Sequence, residues 1–176
     1  MTTALLLINV QRNMLEGETP IPRAASVAPA LRSLLDHARA AGAPTVHVHD
    51  DDPAGQPDAP HPHGWGPVFR VLPWEPVVRA SGPDAFSGTR LASILQELGV
   101  HRLVVAGLRS EDRIAATGHA ALRRGFDVVI ASGAHTTTHD RTTGGAAVIE
   151  AGTEDDLSAA GAKIIDADTI HFDCSP

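Results

Sequence analysis

The side chains able to do chemistry in this chain gather in three stretches. Between residues 47 and 63 lie His47, His49, His61 and His63, with Asp50, Asp51 and Asp52 among them. Imidazoles and carboxylates together can hold a divalent metal, but a metal site needs several convergent ligands. His47-x-His49 on a strand sends both rings to one face without fixing a further ligand. These residues therefore read as strand and loop histidines, and no metal or other cofactor is expected. His135 and His139 follow a later strand. Either is a candidate general base, since imidazole titrates near neutrality; the simpler reading is a lone surface histidine. The third stretch is RLVVAGLRSEDRIAATGHAALRR, Arg102 to Arg124, which reads as strand, turn and helix. Such a turn sits at the carboxyl edge of a parallel sheet, where α/β proteins bind ligands. Trp65, Phe69 and Trp74 read as a pocket wall or a subunit contact. Cys174 is the only cysteine and reads as a tail residue.

The elements that must position these groups follow from periodicity. Leu103–Ala106 is a short apolar run with the β-branched content of a buried strand. Gly107 breaks it, and Ser110 fits a helix N-cap, with Glu111 and Asp112 in the first turn where the dipole favours negative charge. Ile114, Ala115, Gly118, Ala121 and Leu122 then recur at helical spacing, closed by Arg123 to Gly125. Upstream, Ala4–Ile8 is continuously apolar and predicts a strand buried on both faces. Arg12 to Arg23 contains Gly17, Pro20 and Pro22 and reads as a loop. A helix is expected from Ala24 to Ala41, with Val27, Leu31, Leu34, Leu35 and Ala38 on one face and Gly42 at its end. Pro29 is tolerated only near the first turn and moves the expected start a few residues later. Thr45–His49 alternates as a strand, and Asp50 to Pro76 reads as a long functional loop. A helix from Gly88 to Leu98, a strand at Asp127–Ala131, a capping box at Thr153–Asp156 opening a short helix and a strand at Lys163–Asp166 complete the chain. Strands alternating with helices predict a three-layer α/β/α fold around a mostly parallel, Rossmann-like sheet, as one domain over residues 1–176.

Bulk properties narrow the partners. The length of 176 residues, 43% hydrophobic and 20% charged content suit a soluble globular chain. A net charge of -7, with acids spread along the sequence, argues against nucleic acid, whose phosphates call for a basic face. A single cysteine allows no disulfide framework, no apolar run approaches a membrane span, and no leader pattern is seen. The expected compartment is cytoplasmic. A small molecule and further copies of the same chain, a dimer or larger, are the expected partners.

Three segments together resemble the isochorismatase-like cysteine hydrolases. Ala4 to Gly17, ALLLINVQRNMLEG, is similar to that family's ALLVIDMQNDFLEG opening. Ala80 to Leu91, ASGPDAFSGTRL, is similar to K-x-x-x-S-A-F-x-x-T-x-L. Val104 to Thr117, VVAGLRSEDRIAAT, is similar to VVAGVxTDxCVxxT, and Pro73-Trp74-Glu75-Pro76 also fits. The resemblance implies a site built from an aspartate ending the first strand, a lysine before S-A-F and a cysteine at the helix start. There the aspartate takes the thiol proton, the helix N-terminus lowers the thiol pKa and the lysine supports developing charge. The resemblance also implies a non-proline cis peptide at Leu108–Arg109, beside the backbone N–H groups of the oxyanion hole. It places Gln11, Phe86, Leu108 and Arg109 around the ligand.

Carried over by position, the three catalytic residues fall on Asn9, Ala80 and Arg113. An amide does not titrate near neutral pH, alanine brings no charge and a guanidinium stays protonated. Standard cysteine amidohydrolase activity is therefore expected to be absent. Family members that cleave isochorismate's vinyl ether use the aspartate as acid, so Asn9 bears on that reaction too. Arg79, next to Ala80, is a candidate substitute cation. Arg113 admits two readings: an anchor for a carboxylate or phosphate, together with Asn9, or an internal ion pair with Glu111, Asp84 or Asp112. The resemblance to nicotinamidases, which bind a metal near the pocket through Asp-x-His, does not extend to that pair. Two functions follow: a small-molecule binder or partner subunit without the family's chemistry, or an enzyme repurposed for a nucleophile-free hydrolytic, eliminative or cyclising step on a small carboxylate or amide-type metabolite.

Overall fold

A computed structural model describes residues 1–18, 20–51, 53, 59–60, 64–138 and 145–173. In chain order the elements are β1 (Thr2–Ile8), α1 (Arg12–Leu15), α2 (Ala24–Ala40), β2 (Thr45–Asp50), β3 (Val77–Ala80), α3 (Leu91–Glu97) and β4 (Val100–Leu108). A π-helical turn (Ser110–Ile114) leads into α4 (Ala115–Arg123), followed by β5 (Asp127–Thr136), α5 (Gly145–Ala159), β6 (Lys163–Asp166) and a 3₁₀ turn (Ala167–Thr169). The strands form one sheet in the order β3-β2-β1-β4-β5-β6, and every pairing is parallel.

The continuous apolar run of β1 is explained by its central place. Leu5 and Leu7 pack with Val27, Leu31, Leu34 and Leu35 of α2 on one side. Ala4, Leu6 and Ile8 pack with Leu91 and Leu95 of α3, Ala120 and Ala121 of α4, and Leu157 of α5 on the other. Burial on both faces is what a parallel sheet between helices requires. The result is the expected three-layer arrangement.

Several boundaries differ from the expectations. Arg12–Leu15 is a helical turn within the expected loop, held by the burial of Met14 and Leu15. Pro29 does not delay α2, which starts at Ala24 and carries the proline inside; Ala25 and Pro29 are exposed, so the missing bond falls on the solvent side while the apolar face stays intact. The β3 strand was not anticipated: four residues after Pro76, alternately exposed and buried. The next helix starts at Leu91 rather than Gly88, because Gly88 is left-handed with φ +67° and cannot continue a right-handed helix. Gly107 does not end β4. Its φ is +121°, and a Cβ there would lie 2.0 Å from the Ile8 carbonyl oxygen, so only glycine lets β1 and β4 stay paired. β5 runs on to Thr136. The Thr153–Asp156 box opens no helix; it lies within α5, with Thr153 buried. His61, His63, Asp52, His139 and Cys174 lie outside the described residues. Among the described residues no helix is long and apolar enough to cross a membrane.

Candidate active site

At the carboxyl edge of the sheet, β1, β2 and β3 end side by side, and the turn after β4 faces them. Asn9 follows β1 with φ 51°, a left-handed conformation that asparagine adopts more readily than most residues. Ala80 ends β3, its side chain buried, and Arg113 comes from the π-helical turn. Asn9, Ala80 and Arg113, with Ile8, Val48, Asp50, Gly82, Pro83 and Ala85, surround a space without room for a water molecule. The three positions singled out in the sequence are thus brought together, in a closed pocket.

Arg113 closes it. The side chain is 6% exposed, and Nη2 pairs with Asp50 Oδ2, whose own side chain is fully buried. Nη1 donates to the Gly82 carbonyl at 2.5 Å. The carboxylate is none of the three expected. Glu111 accepts from the Thr137 hydroxyl at 2.6 Å, Asp112 pairs with Arg109 at 2.7 Å, and Asp84 accepts from the Phe86 N–H at 2.9 Å. Asp50 was missed because β2 was expected to stop at His49. Strand parity held the signal: Asp50 lies on the side of Val46 and Val48, which pack with Ile8 and Ala80, and away from the two histidines.

The other candidates are spread around this pocket. Gln11 braces the loop from behind: its Nε2 donates to the Trp65 carbonyl at 2.8 Å and its Oε1 accepts from the Asp50 N–H at 2.6 Å. The Trp65 indole donates to the Asp50 carbonyl at 2.6 Å. Arg79 lies on the opposite face of β3 from Ala80, 56% exposed and paired with Asp51 at 2.7 Å, its guanidinium over the Trp65 ring. Phe86 stacks on Phe126 in the core, and Leu108 is buried in the other core cluster. The peptide between Leu108 and Arg109 is cis.

The histidines separate into two groups. His47 is buried 2.9 Å from Glu75, and burial lowers its pKa despite that partner. His49 meets the edge of Trp65, and among the described residues neither ring nitrogen has a hydrogen-bond partner. Burial, then the neighbouring His47, lowers its pKa to about 4. No cluster able to hold a metal ion is found among the described residues.

His135 takes part in a different construction. Ser110 does not cap the helix: the N-cap is Arg109, without a side-chain bond. Instead Ser110 Oγ lies 2.7 Å from His135 Nδ1, and His135 Nε2 lies 3.1 Å from Glu154 Oε1. The hydrogen bond from His135 holds the Glu154 carboxyl below its usual range, against burial. Hydroxyl, imidazole and carboxylate in this order make the pattern of an activated nucleophile. Ser110 is fully buried, however, so Oγ is closed to an acyl group in this structure. The chain of bonds ties the turn after β4 to β5 and α5.

A parallel sheet between two layers of helices defines an α/β protein, a fold class whose ligand sites lie at the carboxyl edge of the strands. The isochorismatase domain model matches residues 3–168, and the chain belongs to the isochorismatase family. It is 43% identical over 136 residues to a streptothricin hydrolase of Streptomyces noursei, covering 76% of this chain and 54% of that protein. It thus spans about half the length of the two streptothricin hydrolases it matches. A secreted isochorismatase effector, Isc1, of Verticillium dahliae is 32% identical over 135 residues, 75% of this chain and 71% of the effector. Among solved structures, an isochorismatase of Pseudomonas putida superposes with TM-score 0.75 at 26% identity, over 94% of this chain and 88% of that one. For N-carbamoylsarcosine amidase of Thermoplasma acidophilum the TM-score is 0.82 at 22% identity, over 97% and 99%, a likeness of fold.

Proposed function

We propose that this chain is an isochorismatase-family protein without the family's cysteine-hydrolase chemistry, acting as a binding or partner subunit. The observation that supports this reading is Arg113, placed where the resemblance puts the nucleophile and locked by Asp50 and the Gly82 carbonyl in a space too small for water. A guanidinium is no nucleophile, and Asn9 offers no titrating proton. The same ion pair neutralises the cation, so an incoming anion is not needed there. A second reading, hydrolysis of an amide-type bond, draws on the 43% identity to a streptothricin hydrolase. Incubation with streptothricin, nicotinamide and a ureido acid, followed by chromatography, separates the two. The expected result is no product above a heat-denatured control. Turnover that disappears in Asn9→Ala or Ser110→Ala would establish the second reading instead.

A further inference from the structure

The opposite, amino edge of the sheet holds a cavity of about 430 Å³, within the ~300–1,000 Å³ typical of small-ligand sites. Leu72, Trp74 and Pro76 in the turn before β3, Pro44 ahead of β2 and Leu98 after α3 give it apolar walls. Trp74 is 75% exposed, a large flat ring at the mouth. Arg39, Glu75 and Thr45 make up its polar part.

The hydrogen bonding of that polar part is one-sided. Arg39 donates through Nε to Glu75 Oε1 at 2.7 Å, and through Nη2 to Glu75 Oε2 at 2.8 Å and the Arg70 carbonyl at 2.7 Å. Glu75 Oε2 also accepts from the Leu72 N–H at 2.9 Å and faces His47. The carboxylate is saturated, whereas Arg39 Nη1 makes no hydrogen bond among the described residues. The Thr45 hydroxyl, behind the wall, is buried without a partner among the described residues. Charge is already balanced, because Glu75 stays ionised beside Arg39. What the cavity offers is a donor without a net charge, next to a flat apolar wall.

We propose that this cavity binds a neutral, flat molecule of one or two rings bearing a carbonyl acceptor, with the oxygen on Arg39 Nη1 and the ring against Trp74. A carboxylate would add a second negative group beside Glu75 and is disfavoured. The site is independent of whatever chemistry the carboxyl edge does or does not perform.

The protein contains two tryptophans, so two indole N–H signals report on the two edges by NMR, assigned with Trp65→Phe. Titration with acetophenone should shift the Trp74 signal saturably and leave Trp65 in place, with benzoate about tenfold weaker. Trp74→Ala, followed through backbone amides of Gly42 and Ala43, should weaken acetophenone binding about three- to tenfold. Benzoate binding as tightly as acetophenone, shifts at Trp65 alone, or no saturable shift would overturn the proposal. So would a Trp74 signal that moves on protein dilution, which would mean that a second copy covers the cavity.

Discussion

At its carboxyl end β2 gives Asp50 to Arg113; near its amino end His47 leans on Glu75, which Arg39 grips through two nitrogens. Both are arginine–carboxylate pairs attached to the same strand, with the carboxylate buried in each. In the first the arginine comes from inside the fold, 6% exposed, and the pair fills its pocket. In the second the arginine comes from the last turn of α2, 20% exposed, and the pair forms the floor of an open cavity. The same two functional groups close one site and furnish another, depending on whether the cation arrives with room to spare.

The comparison breaks most visibly at Arg113. Arg113→Ala leaves Asp50 charged and buried, and urea unfolding should show a loss of about 3–5 kcal/mol. Replacing both partners, Arg113→Met with Asp50→Leu, should return stability to within about 2 kcal/mol of the parent, since no charge is then stranded. A single variant as stable as the parent would mean that Asp50 is not locked to Arg113.

Acid sharpens the other side. His49 titrates near 4 when folded, against 6.5 for an ordinary histidine, so the unfolded chain binds the proton more readily. Stability is complete above about pH 6.5 and falls as pH drops towards 4, by roughly 1–3 kcal/mol. Glu75 is different: burial alone would raise its pKa, but hydrogen bonds from Arg39, Leu72 and His47 hold it down to about 2. Its contribution is present above 4.5 and is lost as pH falls towards 2. Urea midpoints across pH should therefore show two acid steps, and His49→Phe should shrink the upper one to the share of His47, whose pKa burial also lowers, while leaving the lower one in place. The smallest effect belongs to the solvent side of β3. Arg79→Ala breaks a half-exposed pair and should change stability by no more than about 0.5 kcal/mol.

How much of this the sequence carried depends on whether the signal is local. The cores of β1, α2, β4 and β6 were readable because each declares its period within a few residues, and the resemblance named positions 9, 80 and 113 before the fold placed them together. Asp50 escaped because the alternation of β2 reads as ending at His49, and a carboxylate at a strand end carries no local mark of a partner that arrives from the turn after β4. β3 escaped because four residues beside a proline make too short a period to recognise. The amino-edge cavity has no motif: it exists only where the ends of α2 and α3 meet the turn at Leu72–Pro76.

The position of β1 in the middle of the sheet governs the order in which the chain can fold during synthesis. Leu5 pairs with Thr45 on one edge and with Val104 on the other. Of the six strands of this sheet, the one made earliest is thus the one whose second edge waits until β4 has been made. Until then an apolar strand presents an open row of N–H and C=O groups, the template on which neighbouring chains pair wrongly. A nascent or truncated chain that stops short of Val100 carries that exposed edge, and release from it comes with the arrival of β4, the strand that also delivers Arg113 to Asp50.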